Sequence, residues 1–463
     1  MVSYRLFSGQ RIVAGLLMAL MLGGLISAKQ TPATAQVLPP TAEPCLADDP
    51  LQLETLRTHL SNPTPPTGVQ RINASLTVEF IATGEMSDTA PLMPEEAPET
   101  GVDNPDERND VPAATARFHV FNTQTLKEFR VVMEAVAVDQ IRDCFDANNL
   151  NDGTVPEDFV NNIDVPAAYV PLVMSGAAAA KNEPADAMTP GGWSNGSDQR
   201  VVKTNTKAYP LRTIAQFRGS FANEDSGCSG TLVGPRHLIT AAHCINKSGT
   251  NTWYGIRVTP AKNGMGSSLA VEPYGASVIT TSLPAGQEAW YWTFEQWRDP
   301  NQSNRTNWDI GMIVIPNRLG DTTSWMGVAA RNSAYLKNTN SYNRGYPNCN
   351  GDGLTRGNRP VGCQVAKMYG DPGDCHARWF KSLDSDGWSR RYDVRCDLSA
   401  GHSGSPVYHY ETNSQGTQVA VVSAVVITES CFTCGVLDFY PNTVRRVTPS
   451  VIDNYVALRE IFP

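Results

Sequence analysis

The chain has 463 residues, too many for one average domain and enough to bury at least one large core. Its formal charge of -9 is unevenly spread: residues 36–190 hold 25 acidic and 8 basic residues, whereas 191–463 hold 21 and 26. The mild positive charge of the second part comes without a basic stripe or aromatic repeat, which argues against a nucleic-acid partner, and the opposite signs make the two parts electrostatically complementary.

At the N-terminus an uncharged apolar run, Ile12 to Ala28, follows Arg5 and Arg11 and precedes Ala33-Thr34-Ala35. This pattern predicts a signal peptide over 1–35, cleaved on export. No later segment is apolar enough to cross a bilayer, so the mature protein is expected to be secreted, extracellular or periplasmic, with no membrane contact after cleavage. Export makes the ten cysteines a disulfide framework. Cys45 and Cys144 stand alone in the first part and are expected to pair. The pairing of Cys349, Cys363, Cys375, Cys396, Cys431 and Cys434 stays open, although Cys431-x-x-Cys434 lacks the neighbouring ligands of a zinc site and reads as structural. No metal and no cofactor is expected.

Residues 71–80, RINASLTVEF, alternate apolar and polar side chains and predict one strand with a buried face. The stretch 84–112, rich in Pro, Glu and Asp, predicts a disordered acidic loop. Leu126, Phe129, Met133, Val136 and Ile141 fit a helical period over 126–145. A small α+β prosegment or accessory domain over 36–174 is the resulting expectation. Residues 148–159 imitate an EF-hand loop, but Leu150 falls at a ligand position and Phe159 replaces the bidentate glutamate. Residues 175–200, rich in Ala, Gly, Pro and Ser, read as a linker, bounded at 175–193. Beyond it, short runs of Val, Ile and Tyr between Gly, Asn and Pro turns predict an all-β sandwich or barrel, closed by a helix over 450–462.

Three stretches of this second part carry chemistry: TAAHC around His243, NWDIGMIVI around Asp309, and DLSAGHSGSP around Ser403. A serine hydroxyl becomes a nucleophile when an imidazole takes its proton, and the imidazole keeps the right tautomer when its other nitrogen donates to a carboxylate. The order His, Asp, Ser differs from the Ser, Asp, His order of α/β-hydrolases, and Ser405 stands where their second glycine would be. These motifs resemble those of the chymotrypsin-fold (trypsin-like) serine endopeptidases. The SGSP ending, DQRVVKTNTKAYP (198–210) and RGYP (344–347) bring the chain closest to the bacterial glutamyl endopeptidase branch.

The resemblance covers residues 194–463. It implies two six-stranded antiparallel β-barrels with a C-terminal helix, a catalytic triad of His243, Asp309 and Ser403, an oxyanion hole at the Gly401 and Ser403 N–H groups, and a Cys228–Cys244 bridge. Asp397 lies six residues before Ser403, the spacing at which trypsin-like members hold the carboxylate of the substrate pocket; a substrate Arg or Lys would partner it. The histidine by which glutamyl endopeptidases read an acidic side chain has no counterpart in 419–430. His402 adjoins the nucleophile and is expected to point away from the triad. The function expected is a secreted serine endopeptidase made as a zymogen, monomeric, with a protein or peptide substrate and its own prosegment as partners. The alternative is a catalytically silent protease-like binding protein.

Overall fold

The computed structural model describes residues 51–87, 115–147, 198–219, 227–283, 287–302, 304–349, 360, 362–373, 375–380, 389–412, 416–428 and 442–463. The signal peptide, Cys45, most of the acidic loop, the 148–159 stretch, the 175–193 linker, Cys431 and Cys434 lie outside these residues. Among the described residues no helix is long and apolar enough to cross a membrane.

The first part opens with the helix Leu53–Leu60, which buries Leu53, Leu56 and Leu60 along one stripe. Strands β1 (Val69–Asn73) and β2 (Leu76–Thr83) follow. The single strand expected over 71–80 is therefore a hairpin. Asn73 Oδ1 accepts the Ser75 N–H at 2.7 Å, a local bond that turns the chain inside a run whose alternation is otherwise unbroken. β3 (Glu85–Ser87), β4 (Thr115–Asn122) and β5 (Lys127–Glu134) come next, then the helix Ala135–Ala147. The helix expected over 126–145 thus begins only at Ala135. Phe129, Val131 and Met133 are buried alternately with half-buried Arg130 and Val132, a period of two. The four-residue step from Phe129 to Met133 suits either period. The turn decides it, because Asn122 Oδ1 accepts the Gln124 and Thr125 N–H groups and folds β5 back on β4.

The second part supplies β6 (Val201–Val202), β7 (Ile214–Gly219), β8 (Cys228–Leu232), β9 (His237–Thr240), β10 (Thr252–Tyr254), β11 (Ile256–Pro260), β12 (Ser277–Ile279), β13 (Trp290–Thr293) and β14 (Gly311–Val314). Seven of these join the first part in one sheet of order β1-β2-β5-β4-β13-β14-β9-β8-β7-β11-β12. A second sheet, β16-β20-β21-β22-β19-β18 with β15 beside β21, is built from β15 (Gly327–Val328), β16 (Tyr342–Asn343), β18 (Ala377–Phe380), β19 (Arg391–Val394), β20 (Pro406–Thr412), β21 (Gln418–Thr428) and β22 (Thr443–Arg446); β17 (Tyr369–Gly370) pairs with β6. The architecture is the all-β double barrel, with the C-terminal helix Pro449–Ile461 burying Val451, Tyr455 and Leu458.

The α+β first part is not a separate body within the described residues. β4 runs antiparallel to β13 in the register Trp290↔Asn122 to Thr293↔His119, and one apolar cluster runs from Leu56 and Phe121 to Tyr291 and Leu458.

Candidate active site

His243 sits in a tight turn, Ala242–Cys244, directly after β9. Its position is fixed from both sides. Cys244 is bridged to Cys228 at the start of β8, with a Cα separation of 5.9 Å, and β9 pairs with β14 so that Gly311 faces Thr240. That pairing carries Asp309, two residues before β14, against the histidine turn. Both carboxylate oxygens of Asp309 are then used: Oδ1 accepts the His243 backbone N–H at 2.9 Å and Oδ2 accepts the ring Nδ1–H at 2.7 Å. A carboxylate can only accept, so Nδ1 holds the proton and Nε2 is left with its lone pair in the neutral ring.

Ser403 lies in the turn that feeds β20. Its carbonyl accepts the Ser229 N–H at 2.7 Å, next to the Cys228 bridge, and the Gly404 N–H donates to Val426 O at 2.7 Å. These bonds tie the serine turn to β8 on one side and β21 on the other. Gly401 and Gly404 adopt φ of +93° and +77°. A Cβ on Gly401 would lie 2.3 Å from Tyr346 O, and one on Gly404 would lie 2.0 Å from Thr240 Oγ1. Only glycine allows both the left-handed turn and the close backbone approach. Among the described residues the Gly401 and Ser403 N–H groups donate to no protein acceptor. The Ser403 hydroxyl and His243 Nε2 are buried, and neither has a hydrogen-bond partner among those residues. The His243–Asp309 bond is formed; the Ser403–His243 bond is not.

Residues without a motif hold this turn. Ser229 Oγ donates to Gly401 O at 2.8 Å and accepts the Tyr346 N–H at 2.9 Å. Asn343 Oδ1 lies 3.0 Å from His402 Nδ1, while its Nδ2 donates to Ser405 Oγ and Pro406 O. His402 is fully buried; burial first, then the Arg200 and Arg344 guanidiniums, hold its pKa well below the ordinary value, so it stays neutral. The sequence signals for Ser229 and Asn343 are weak, because a small polar residue in a strand has no spacing rule that marks it.

Asp397 is 1% exposed, with Oδ2 accepting the Gln199 N–H at 2.8 Å. Its own N–H donates to Asp371 Oδ2 at 3.1 Å. Arg200 fills the same buried region: it pairs with Asp198 through Nε and Nη2 and donates from Nη1 to Ser399 Oγ at 2.6 Å. Residues 198–200, read as the end of a linker, therefore belong to the folded body. Charges in a Gly- and Ser-rich stretch look solvated until the partners, nearly two hundred positions away, are known.

Burial, and next the Asp397 carboxylate, raise the Asp371 pKa from 3.8 to about 7, with Arg344 and Arg200 offsetting part of the effect. The raised value fixes a sign. Between about pH 4 and 7 the unfolded chain has lost this proton and the folded chain keeps it, so the contribution of Asp371 to stability falls as pH rises through that window. Asp371→Asn should exceed the parent in stability by roughly 1–3 kcal/mol at pH 8 and match it below pH 4. Urea unfolding at the two pH values checks this; an equal difference at both would exclude the titration of Asp371.

Two other bridges, Cys349–Cys363 and Cys375–Cys396, are formed, and Cys144 is disulfide-bonded with its partner outside the described residues. Among the described residues two groups of potential metal ligands occur, Cys228 with His243 and Cys244, and Asp371 with Cys375 and Cys396. In each the two sulfurs are bonded to each other, so neither offers the thiolates a transition metal would need.

Over 268 residues, 56% of this chain, the sequence is 28% identical to the glutamyl endopeptidase of Bacillus licheniformis. The chain is similar to trypsin-like, glutamyl-endopeptidase-like serine endopeptidases. It is also 29% identical over 154 residues to a Bacillus subtilis protein named extracellular metalloprotease. The matches span 66% and 44% of the length of these curated relatives. No family model matches. Among solved structures, a Glu endopeptidase in complex with MPD has a TM-score of 0.38 at 19% identity, covering 57% of this chain and 98% of that one. The protease Anisep from Arthrobacter nicotinovorans scores 0.34 at 17% identity, covering 56% and 99%. Likenesses of this size carry nothing about activity.

Proposed function

We propose that the chain is a secreted serine endopeptidase. The observation that carries this reading is the double hold of Asp309 on His243, which leaves Nε2 as the base, beside a serine turn with two unengaged N–H groups. Ser403 Oγ attacks the scissile carbonyl carbon while its proton passes to His243 Nε2. The oxyanion is received by the Gly401 and Ser403 N–H groups. The C–N bond then breaks as Nε2 protonates the leaving amine, and water, deprotonated by the same nitrogen, releases the acyl group and restores Ser403.

The cleaved bond is read by Asp397. Two buried carboxylates, Asp371 and Asp397, stand together, and a substrate Arg or Lys would bring a cation to them. Peptides ending in Arg, Glu and Leu test this: the parent should favour Arg and Asp397→Ser should lose that preference. A parent that prefers Glu or Leu overturns the assignment.

Export as a latent precursor completes the reading. Ser403 is fully buried in the intact chain, which supports latency. Arg200 is buried in its pair with Asp198, so the folded body includes it, which favours a cut upstream, near 191–195. A fluorophosphonate label, applied before and after cutting the linker, tests enzyme against silent binding protein. Labelling of Ser403 is expected, faster after cutting; a protein that never reacts is the silent alternative, and equal rates end the latency.

A further inference from the structure

The first part grips the two loops that carry His243 and Asp309. β13 has β14 on one side and β4 on the other, so removing the first part would bare an edge of three large aromatic residues, Trp290, Tyr291 and Trp292. At the start of the β4–β5 turn, Thr123 N–H and Oγ1 both donate to Ala289 O. β3 adds a parallel strand to β10, which lies in the stretch that follows the histidine turn. Phe121 stacks on Trp253 of β10 at 4.7 Å between ring centres, with the planes within 6° of parallel.

A buried ionic group joins the same elements. Glu128 of β5 accepts from His119 Nδ1 at 2.7 Å and from Arg298 Nη2 at 2.6 Å, and the three side chains are 1–5% exposed. Burial alone would raise the Glu128 pKa; the His119 bond and the Arg298 charge outweigh it and hold the carboxyl below its ordinary value. Arg298 Nη2 also donates to Asn251 Oδ1 at 2.8 Å, and its guanidinium lies over the Trp253 ring at 4.8 Å. Trp297, beside it, donates to Asn246 Oδ1 at 3.2 Å. The short helix Glu295–Arg298 thus touches the loop after His243 and leads, through the turn Arg305–Trp308, to Asp309.

The opposite end is also held. Arg57 donates to the carbonyls of Glu460 and Ile461, and Arg142 pairs with Asp453, all on the C-terminal helix.

We propose that residues 51–147 are a permanent half of the working protein, retained after cleavage between 148 and 197, and that Glu128, acting through Arg298, is a positioning residue for the histidine and aspartate loops. A buried cation held between the Trp253 ring and the Glu128 carboxylate loses its counter-charge once β5 departs. The loop after His243 would lose β3, Phe121 and the Glu85 N–H bond to Asn251 O together. Excision of the linker is then compatible with activity, whereas loss of the first part is not. The positioning half of the proposal rests on the endopeptidase reading; the retention half does not.

The test uses the full chain with a site-specific protease sequence inserted between 175 and 193. After cutting, the two fragments are expected to co-elute on gel filtration at micromolar concentration and to separate only in unfolding urea. A first fragment that elutes alone while 198–463 stays folded and reacts with the fluorophosphonate overturns retention. Glu128→Gln is expected to slow Ser403 labelling by roughly tenfold at temperatures below its unfolding transition, and to speed hydrogen exchange in 244–255. Arg298→Lys keeps the charge but loses the fork of Nε and Nη2 on Glu128; it covers the case in which Glu128→Gln does not fold, and the same two changes are expected. Parental labelling and parental exchange in a folded variant of either kind overturn the positioning role. A parent that co-elutes but never labels refutes the endopeptidase reading, and co-elution and exchange then still decide retention and loop order.

Discussion

Ser403→Ala and His243→Ala are each expected to lower peptide hydrolysis by about a millionfold while the protein still folds, since residues of such a unit fail together. Ser403 is asked to react and is barely asked to pack: its hydroxyl has no partner among the described residues, so removing it breaks no bond in the resting fold. His243 differs in one respect. Its ring donates to Asp309, and the alanine variant leaves Oδ2 of a fully buried carboxylate without that donor, although Oδ1 keeps the His243 backbone N–H. His243→Ala should therefore also lose about 1–3 kcal/mol of stability, where Ser403→Ala loses almost none. Initial rates on a peptide mixture and urea unfolding of the three proteins check both parts. Activity within tenfold of the parent in either variant would mean that another nucleophile or base carries the reaction.

Gly404→Ala is expected to destroy the site by a different route. The new Cβ meets Thr240 Oγ1 at 2.0 Å, Ser229 O at 2.3 Å and Ala241 N at 2.9 Å, and two of these three atoms are backbone of the strands and turn that hold His243. At φ +77° the left-handed conformation itself costs about 1–2 kcal/mol for alanine, and forced overpacking adds about 1–3 kcal/mol. Neither the serine turn nor β8 can move without breaking the Ser229 to Ser403 bond, so loss of stability and loss of labelling should come together. Gly416 separates the two causes. It has φ +79° and nothing within 4 Å of the added Cβ, so Gly416→Ala carries the backbone strain alone and should label Ser403 at the parental rate. If Gly404→Ala behaves like Gly416→Ala in unfolding and in labelling, close packing does not hold the turn.

The candidate site was legible because each of the proposed reacting side chains sits in a short stretch whose neighbours have their own local reasons. Glycines flank Ser403 where φ must be positive, and an apolar strand follows Asp309 because β14 is buried on both faces. The supports were not legible. Asn343 anchors both sides of the nucleophile from 59 to 63 positions away, and Arg200 reaches Ser399 across 199. Such contacts leave no period and no spacing. The same limit produced the errors in the first part: alternation through 71–80 could not show the turn at Asn73, and the step from Phe129 to Met133 belongs to a helix and to a strand alike.

By itself the sequence determined an all-β second half and the chain order in which His243, Asp309 and Ser403 are offered as base, orienting acid and nucleophile, because side-chain alternation, turn residues and short motifs are properties of neighbours along the chain. Only the tertiary structure decided that the acidic first half completes the same sheet. β4 offers a buried alternating face that any strand edge could meet, and its choice of β13 is made by the Phe121–Trp253 stack and the Glu128–Arg298 pair, contacts between residues more than a hundred positions apart. Burial makes that choice specific: an unpaired guanidinium or carboxylate in that interior would cost more than the strand pairing returns, so only the register that joins them is stable.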